Sequence, residues 1–156
     1  MLASDLITYL LQVFVSTMIS VLYLKYVMDI GFGNKMPKMM LVILVGSFVG
    51  IATGFFIGSF SNMKEESRRG LAVGFTMIEC FLSGLMVGGM YHIVQNLCPL
   101  LNKINPAALI VDALYSLDIY SDYSRYYGNL GILAGIAVLL CIAGYLKIRR
   151  ERYASI

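Results

Sequence analysis

Long apolar runs are the dominant pattern along this chain. Residues 6–24, 39–60 and 130–146 contain no charged side chain, and residues 70–90 contain one, Glu79. A hydrocarbon layer about 30 Å thick needs roughly 20 apolar helical residues to cross it. Each run therefore predicts a membrane-spanning helix, the last one once the flanking residues extend it into the interfaces.

The runs together predict an all-α polytopic membrane protein with a single transmembrane domain over residues 1–156. The four predicted transmembrane helices cover about 6–27, 38–60, 70–91 and 128–147. Composition agrees, because 59% of the residues are apolar and only 13% are charged, against about 25% charged in soluble domains. A soluble helical bundle would need polar faces that these runs mostly lack.

Residues 92–118 are too polar for a fifth span and too apolar for a free loop. Asn105 and Pro106 are typical of a helix start, because Asn caps the first turn and Pro has no N–H to leave unpaired there. The apolar residues that follow recur at helical spacing and leave Asp112 on the other side. This amphipathic helix either lies on the outer membrane surface or dips back into the bundle. A shorter apolar piece before it is predicted to stop or kink near Pro99.

Basic residues near the ends of the spans predict the orientation. One side carries seven of them: Lys64, Arg68, Arg69, Lys147, Arg149, Arg150 and Arg152. The other side carries five, spread over longer segments: Lys25, Lys35, Lys38, Lys103 and Arg125. Lys and Arg concentrate on the cytoplasmic side of membrane proteins, so both termini are expected to be cytoplasmic. The expected location is the plasma membrane.

Glycine recurs every fourth residue along the second predicted span, at Gly46, Gly50, Gly54 and Gly58. Residues four apart share one face of a helix, and small side chains let two helix backbones approach closely in lipid. We call these four residues the glycine seam. The seam predicts tight packing against a neighbouring helix, which belongs either to the same chain or to another subunit.

Glu79 lies near the middle of the third predicted span. A carboxylate at that depth costs about 2.5 kcal/mol or more and normally faces a bundle interior or a cavity. Thr76 and Ser83 share its helix face, and Gln12 and Ser16 belong to a polar stripe on the first span. These five residues are the candidate translocation path. The alternative is a protonated Glu79 whose hydrogen bond only ties two helices together.

Motifs for catalysis, metal binding and phosphate binding are missing from the sequence. His92 is the one histidine, and the three cysteines lack the spacing of a metal site or a disulfide framework. The chain is therefore expected to be no enzyme and to bind no metal or cofactor. Its net charge of +3 is carried by membrane-flanking residues and does not indicate a nucleic-acid partner.

Two stretches resemble the permease subunit of type-2 ABC exporters. Residues 54–70, GFFIGSFSNMKEESRRG, are similar to the fourth span of that family and the cytoplasmic turn after it. Residues 81–117, FLSGLMVGGMYHIVQNLCPLLNKINPAALIVDALYSL, are similar to its fifth span, short outer segment and Asn-Pro helix. The resemblance covers nearly all of the chain. One departure is Gly88-Gly89, where many members carry a proline.

The resemblance implies that the four spans match the third to sixth spans of the family, so the chain is either a fragment or one part of a split permease. It implies a homo- or heterodimer of permease chains around a translocation path, in the lipid bilayer. ATP and Mg²⁺ would be bound by a separate ATP-binding cassette subunit. The outer segment with Asn105, Pro106 and Asp112 would close the external gate. The substrate is not specified.

Two other functions are compatible with parts of the sequence. A small membrane assembly protein without transport activity would depend on the glycine seam and not on Glu79. A membrane-embedded enzyme would need a nucleophile or a metal cluster, which His92 and three scattered cysteines do not supply.

Overall fold

The computed structural model describes residues 2–27, 35–60, 63–117 and 123–154. Within these ranges the chain forms seven α-helices and no strand, which confirms the all-α prediction. Their bounds are α1 Leu2–Tyr26, α2 Met36–Gly58, α3 Glu65–Leu82, α4 Met90–Leu97, α5 Pro99–Ile104, α6 Pro106–Tyr115 and α7 Tyr123–Ala154. Residue 118, the last of the predicted outer segment, lies outside the described residues.

Two of the described helices are long and apolar enough to cross a membrane. They are α2, Met36–Gly58, and the Tyr123–Arg150 portion of α7. α1 contains a shorter apolar stretch, Ile7–Tyr23. The second and fourth predicted spans thus correspond to helices of sufficient length, and the count of four spans stays a prediction.

α2 and α7 run parallel through the centre of the bundle. Where both begin, the Tyr126 hydroxyl donates to the Lys38 carbonyl oxygen at 2.8 Å, and Lys38 Nζ lies 3.5 Å from the centroid of the Tyr123 ring. At the other end, just after α2, Lys147 Nζ of α7 lies 3.1 Å from the centroid of the Phe60 ring. We call these the Tyr126 end and the Phe60 end of the bundle.

α6 enters the bundle rather than lying on its surface. A first buried layer, at the Tyr126 end, consists of Val42, Ala113, Leu117, Tyr126 and Leu130. A second, deeper layer consists of Val49, Ala52, Leu109, Leu133 and Ala137. The chain passes from the deeper layer at Leu109 to the first layer at Leu117. The N-terminus of α6 therefore lies near the middle of α2 and α7, inside the bundle.

The third predicted span, about 70–91, is not one continuous helix, and its extent in the membrane stays a prediction. α3 ends at Leu82, and residues 83–89 form turns before α4 begins. Gly84 and Gly89 have φ angles of 83° and 88°, values that glycine adopts readily because it has no Cβ. The length and the hydropathy of the apolar run do not reveal this break, because a broken helix and a continuous one have the same apolar residues.

α7 comes close to α2 at Gly144, a residue that the glycine pattern did not single out. A Cβ on Gly144 would lie 2.8 Å from Cε1 of Phe55 and 3.4 Å from Cα of Phe56. Glycine at this buried position therefore allows the two central helices to pack.

The glycine seam has a neighbour at only one of its four positions in the part of the chain that the structure describes. A Cβ on Gly46 would lie 3.1 Å from Cδ1 of Ile110 in α6. At Gly50, Gly54 and Gly58, a Cβ would meet no described atom within 4 Å. The seam is therefore open along most of its length.

Replacing Gly144 by alanine is expected to give a protein about 1 kcal/mol less stable than the matched Gly54→Ala variant. Both changes gain the same helix propensity, but only the methyl group at Gly144 would overpack against Phe55 and Phe56. The free energy of unfolding, measured by titration with a denaturing detergent, checks this. Equal stability of the two variants would contradict the packing described here.

Candidate functional site

Asn105 connects the start of α6 to α3. Its Oδ1 accepts hydrogen bonds from the backbone N–H groups of Ala107 and Ala108, at 3.0 and 3.4 Å. These bonds are the N-cap predicted from Asn105-Pro106, and Pro106 occupies the first turn as expected. The Nδ2 of the same side chain donates to the backbone carbonyl oxygen of Glu79 at 2.9 Å. One buried amide thus caps α6 and ties it to α3.

Glu79 stands where the N-terminus of α6 meets α3. Its side chain is partly buried, and its carboxyl group makes no hydrogen bond or ion pair with any described residue. The tie between the helices uses the backbone carbonyl of Glu79 instead. Within the described chain, the carboxyl group of Glu79 is therefore not the group that holds these helices together.

The other candidate path residues lie in different surroundings. Thr76 is exposed and Ser83 is buried, and each hydroxyl donates to a carbonyl oxygen one turn earlier in α3, at 2.9 and 2.8 Å. Gln12 and Ser16 are exposed on α1, which packs mainly against α2. The chain by itself therefore does not enclose the five residues in one channel.

Asp112 is the charged centre of the contact between α6 and α7. Arg125 donates to it from Nε and Nη2, at 2.8 and 2.7 Å, and Asn129 Nδ2 donates at 2.7 Å. The side chain of Asp112 is 14% exposed and that of Arg125 is 49% exposed. A bidentate Arg–carboxylate pair fixes both distance and orientation. It holds α6 against α7 at the Tyr126 end.

Asn102 joins the two short helices α4 and α5, and it was not among the predicted site residues. Its Nδ2 donates to the Tyr91 carbonyl oxygen at 3.1 Å and to Gln95 Oε1 at 3.0 Å. The residue is 5% exposed. An asparagine within a short apolar piece was the available signal, since a buried amide is expected to find hydrogen-bond partners.

A cavity of about 820 Å³ opens at the Tyr126 end, between the turns that follow α3, helices α4 and α6, and the starts of α2 and α7. Ser83 and Asp112 are the two predicted site residues that line it. A second cavity, of about 550 Å³, lies between α1, α2 and α6 and is mostly apolar. Gly46 and Gly50 of the glycine seam line this second cavity.

Comparison with known proteins identifies one protein family for this chain. A family model described as ABC-2 family transporter protein matches residues 1–146. No curated protein and no solved structure matches the chain. The family match confirms the resemblance found in residues 54–70 and 81–117, and it extends over nearly the full sequence. The chain therefore belongs to the ABC-2 transporter family and is a membrane-embedded permease component of an ABC transporter.

Proposed function

We propose that this permease is part of an ATP-driven exporter in the plasma membrane, with four spans and both termini in the cytoplasm. A separate ATP-binding cassette subunit would bind ATP and Mg²⁺ and would supply the energy. The observation that carries this proposal is the position of α6. This helix enters the bundle at the end predicted to face outward, and its N-terminal residue Asn105 is hydrogen-bonded to the backbone of Glu79 beside the deeper buried layer.

The substrate path is proposed to run along α3, between this chain and a second permease chain. None of the side chains of α3 is fully buried within the chain. Several of its large apolar residues are exposed: Leu71, Val73, Phe75, Met77 and Ile78. A carboxyl group without a partner among the described residues, on a helix with so little internal packing, fits a path completed by another chain.

The open part of the glycine seam supports a second permease chain as well. Gly54 and Gly58 present a backbone surface where an added Cβ would meet no described atom within 4 Å, and Gly50 faces the cavity beside α1. Small-residue faces of this kind are typical of helix–helix contacts in membranes. The same surface would suit an assembly protein without transport activity, and the family match favours the transport interpretation.

Co-purification tests the proposed assembly. The tagged chain, extracted in a mild detergent, is expected to bring down an ATP-binding cassette subunit together with a second permease polypeptide. The reconstituted complex is expected to hydrolyse ATP faster than the ATPase subunit alone. Recovery of a homo-oligomer without any ATPase would overturn the exporter proposal and favour the assembly protein.

Replacing Glu79 by glutamine is expected to reduce transport at least about tenfold while leaving the complex intact. Loss of one hydrogen bond to a charged group costs roughly 1.5–3 kcal/mol. In the described part of the chain, the carboxyl group of Glu79 has no partner whose loss would unfold the protein. ATP-dependent movement of ethidium, an amphipathic cation, in inside-out vesicles would be measured. Glu66→Gln, the same change at an exposed position of α3, is the control. Equal transport by the two variants would exclude Glu79 from the path.

A further inference from the structure

We propose that the 550 Å³ cavity between α1, α2 and α6 binds one alkyl tail of a membrane phospholipid. The cavity volume lies within the range of about 300–1,000 Å³ that is common for ligand pockets. A lipid tail is available to the cavity because the protein is embedded in a membrane. Its binding does not depend on the proposed export function, since it requires neither ATP nor an ATPase subunit.

Three helices form the walls of the cavity. α1 contributes Val13 and Thr17, α6 contributes Ile110 and Leu114, and α2 contributes one face over residues 42–51. Every described residue of the lining is uncharged, and most of the lining surface is apolar. A charged or polar headgroup would lose its hydration here without gaining a partner. An alkyl tail has no such group to desolvate, so it suits these walls.

The two hydroxyl groups in the lining are already hydrogen-bonded. Thr17 Oγ1 donates to the Val13 carbonyl oxygen at 2.8 Å, and Ser47 Oγ donates to the Ile43 carbonyl oxygen at 2.7 Å. Each hydroxyl proton is therefore used by the backbone of its own helix, and a hydroxyl group has only one proton to donate. The lining thus offers a ligand apolar contact rather than hydrogen-bond donors.

The cavity lies at the depth of lipid tails. α2 runs from Met36 to Gly58 and is long and apolar enough to cross a membrane. At about 1.5 Å per residue, the lining residues 42–51 begin roughly 9 Å into α2 and cover roughly 14 Å of its length. In a hydrocarbon layer about 30 Å thick, this stretch lies around the middle, where there are tails and no headgroups.

The cavity opens to the outside of the bundle beside α1. Val13 is 42% exposed, and Gly50 is exposed as well. A Cβ on Gly50 would meet no described atom within 4 Å, so the space beside this glycine is available to a ligand. An empty apolar space would lose dispersion contacts along its walls, and water would find few hydrogen-bond partners in it. A tail from the surrounding bilayer supplies those contacts.

The test uses the full chain, stripped of lipid in a detergent that has a rigid steroid body in place of an alkyl tail. A phosphatidylcholine with a photoreactive diazirine at the end of one tail is added in increasing amounts, and the cross-linked residues are mapped by mass spectrometry. Cross-linking to the lining of α1 and α2 is expected to saturate. Cross-linking to Leu139 of α7, which is 68% exposed and outside the lining, should keep rising in proportion to the probe. Proportional cross-linking at both places, or none in the lining, would overturn the proposal.

Two pairs of variants locate the site. Gly50→Leu is expected to abolish the saturable cross-linking, because the new side chain would fill the cavity. The matched Gly54→Leu should leave it unchanged, because Gly54 lies one turn further along α2 and outside the lining. On α1, Val13→Phe and Val15→Phe form an equivalent pair, since only Val13 lines the cavity. Unchanged cross-linking in both lining variants, or equal losses in the lining variants and their controls, would exclude this cavity.

A helix of another polypeptide is the competing occupant of the cavity. The cross-linking is therefore repeated in membranes of the expressing cells, where any partner chain is present. Labelling of the lining that Gly50→Leu abolishes would support the lipid tail. Labelling at Leu139 with none in the lining would show that a protein helix fills the cavity, and it would overturn the proposal.

Discussion

Replacing Asn105 by alanine is expected to lower the free energy of unfolding by about 2 kcal/mol, and replacing it by serine by only about half as much. Alanine removes both the cap of α6 and the hydrogen bond to the Glu79 carbonyl. Serine keeps the cap but is too short to reach Glu79. An N-cap contributes about 1 kcal/mol, and a buried hydrogen bond contributes a similar amount.

The two contributions can be measured separately. Unfolding of each variant by a denaturing detergent gives the difference between serine and alanine, which reports the cap, and between wild type and serine, which reports the tie to α3. If serine is as stable as wild type, the Asn105–Glu79 hydrogen bond contributes nothing and α6 is held at that end by packing alone.

Replacing Asp112 by asparagine is expected to destabilise the protein by about 2 kcal/mol. The change removes the negative charge that Arg125 contacts through two nitrogen atoms and leaves this guanidinium without its carboxylate. Breaking a fully buried ion pair costs roughly 3–5 kcal/mol. The cost is smaller here because the Arg125 side chain is 49% exposed.

A double-mutant cycle isolates the pair. Asp112→Asn, Arg125→Gln and the double variant are compared in the same unfolding measurement, and the double variant is expected to lose less than the sum of the two single variants. Additive losses would show that Asp112 and Arg125 stabilise the protein independently. Arg125→Lys is a useful fourth variant, because lysine keeps the charge but cannot form the bidentate contact.

The local structure of α6 could be predicted from the sequence, and its depth could not. Asn105 and Pro106 define a helix start through backbone chemistry that acts within a few residues. The depth depends on partners far along the chain, such as Glu79, which is 26 residues from Asn105. An apolar face at helical spacing is equally suitable for a lipid surface and for a bundle interior, so the pattern left both arrangements open.

The glycines show the same distinction between pattern and structure. Regular spacing predicted a helix contact at Gly50 and Gly54, but a Cβ there would meet no described atom within 4 Å, so this contact stays a prediction. The isolated Gly144 has no pattern around it, yet it lies where α2 and α7 pack closely. Gly84 and Gly89 look like two more small residues in an apolar run. Their backbone angles, which break the helix, are not encoded in hydropathy.

The sequence identified the candidate path residues as polar side chains in apolar runs, but it did not predict their contacts. A carboxylate within an apolar run is visible in the sequence, so Glu79 could be identified. Its link to α6 is a hydrogen bond to its backbone carbonyl oxygen. Every residue has this atom, so the residue type does not indicate the contact. Arg125 and Asn129 were not predicted as partners of Asp112, because residues 13 and 17 positions apart are brought together only by the fold.

The contacts of α6 with α3 are weaker than its contacts with α7, so the contacts with α3 are expected to break first. Toward α3 the tie is a single neutral hydrogen bond from Asn105. Toward α7 it consists of three hydrogen bonds to a carboxylate and two buried apolar layers. A motion that separated α3 from α7 is therefore expected to break the Asn105–Glu79 hydrogen bond first. In such a motion α6 would stay with α7, and α3 would move relative to both.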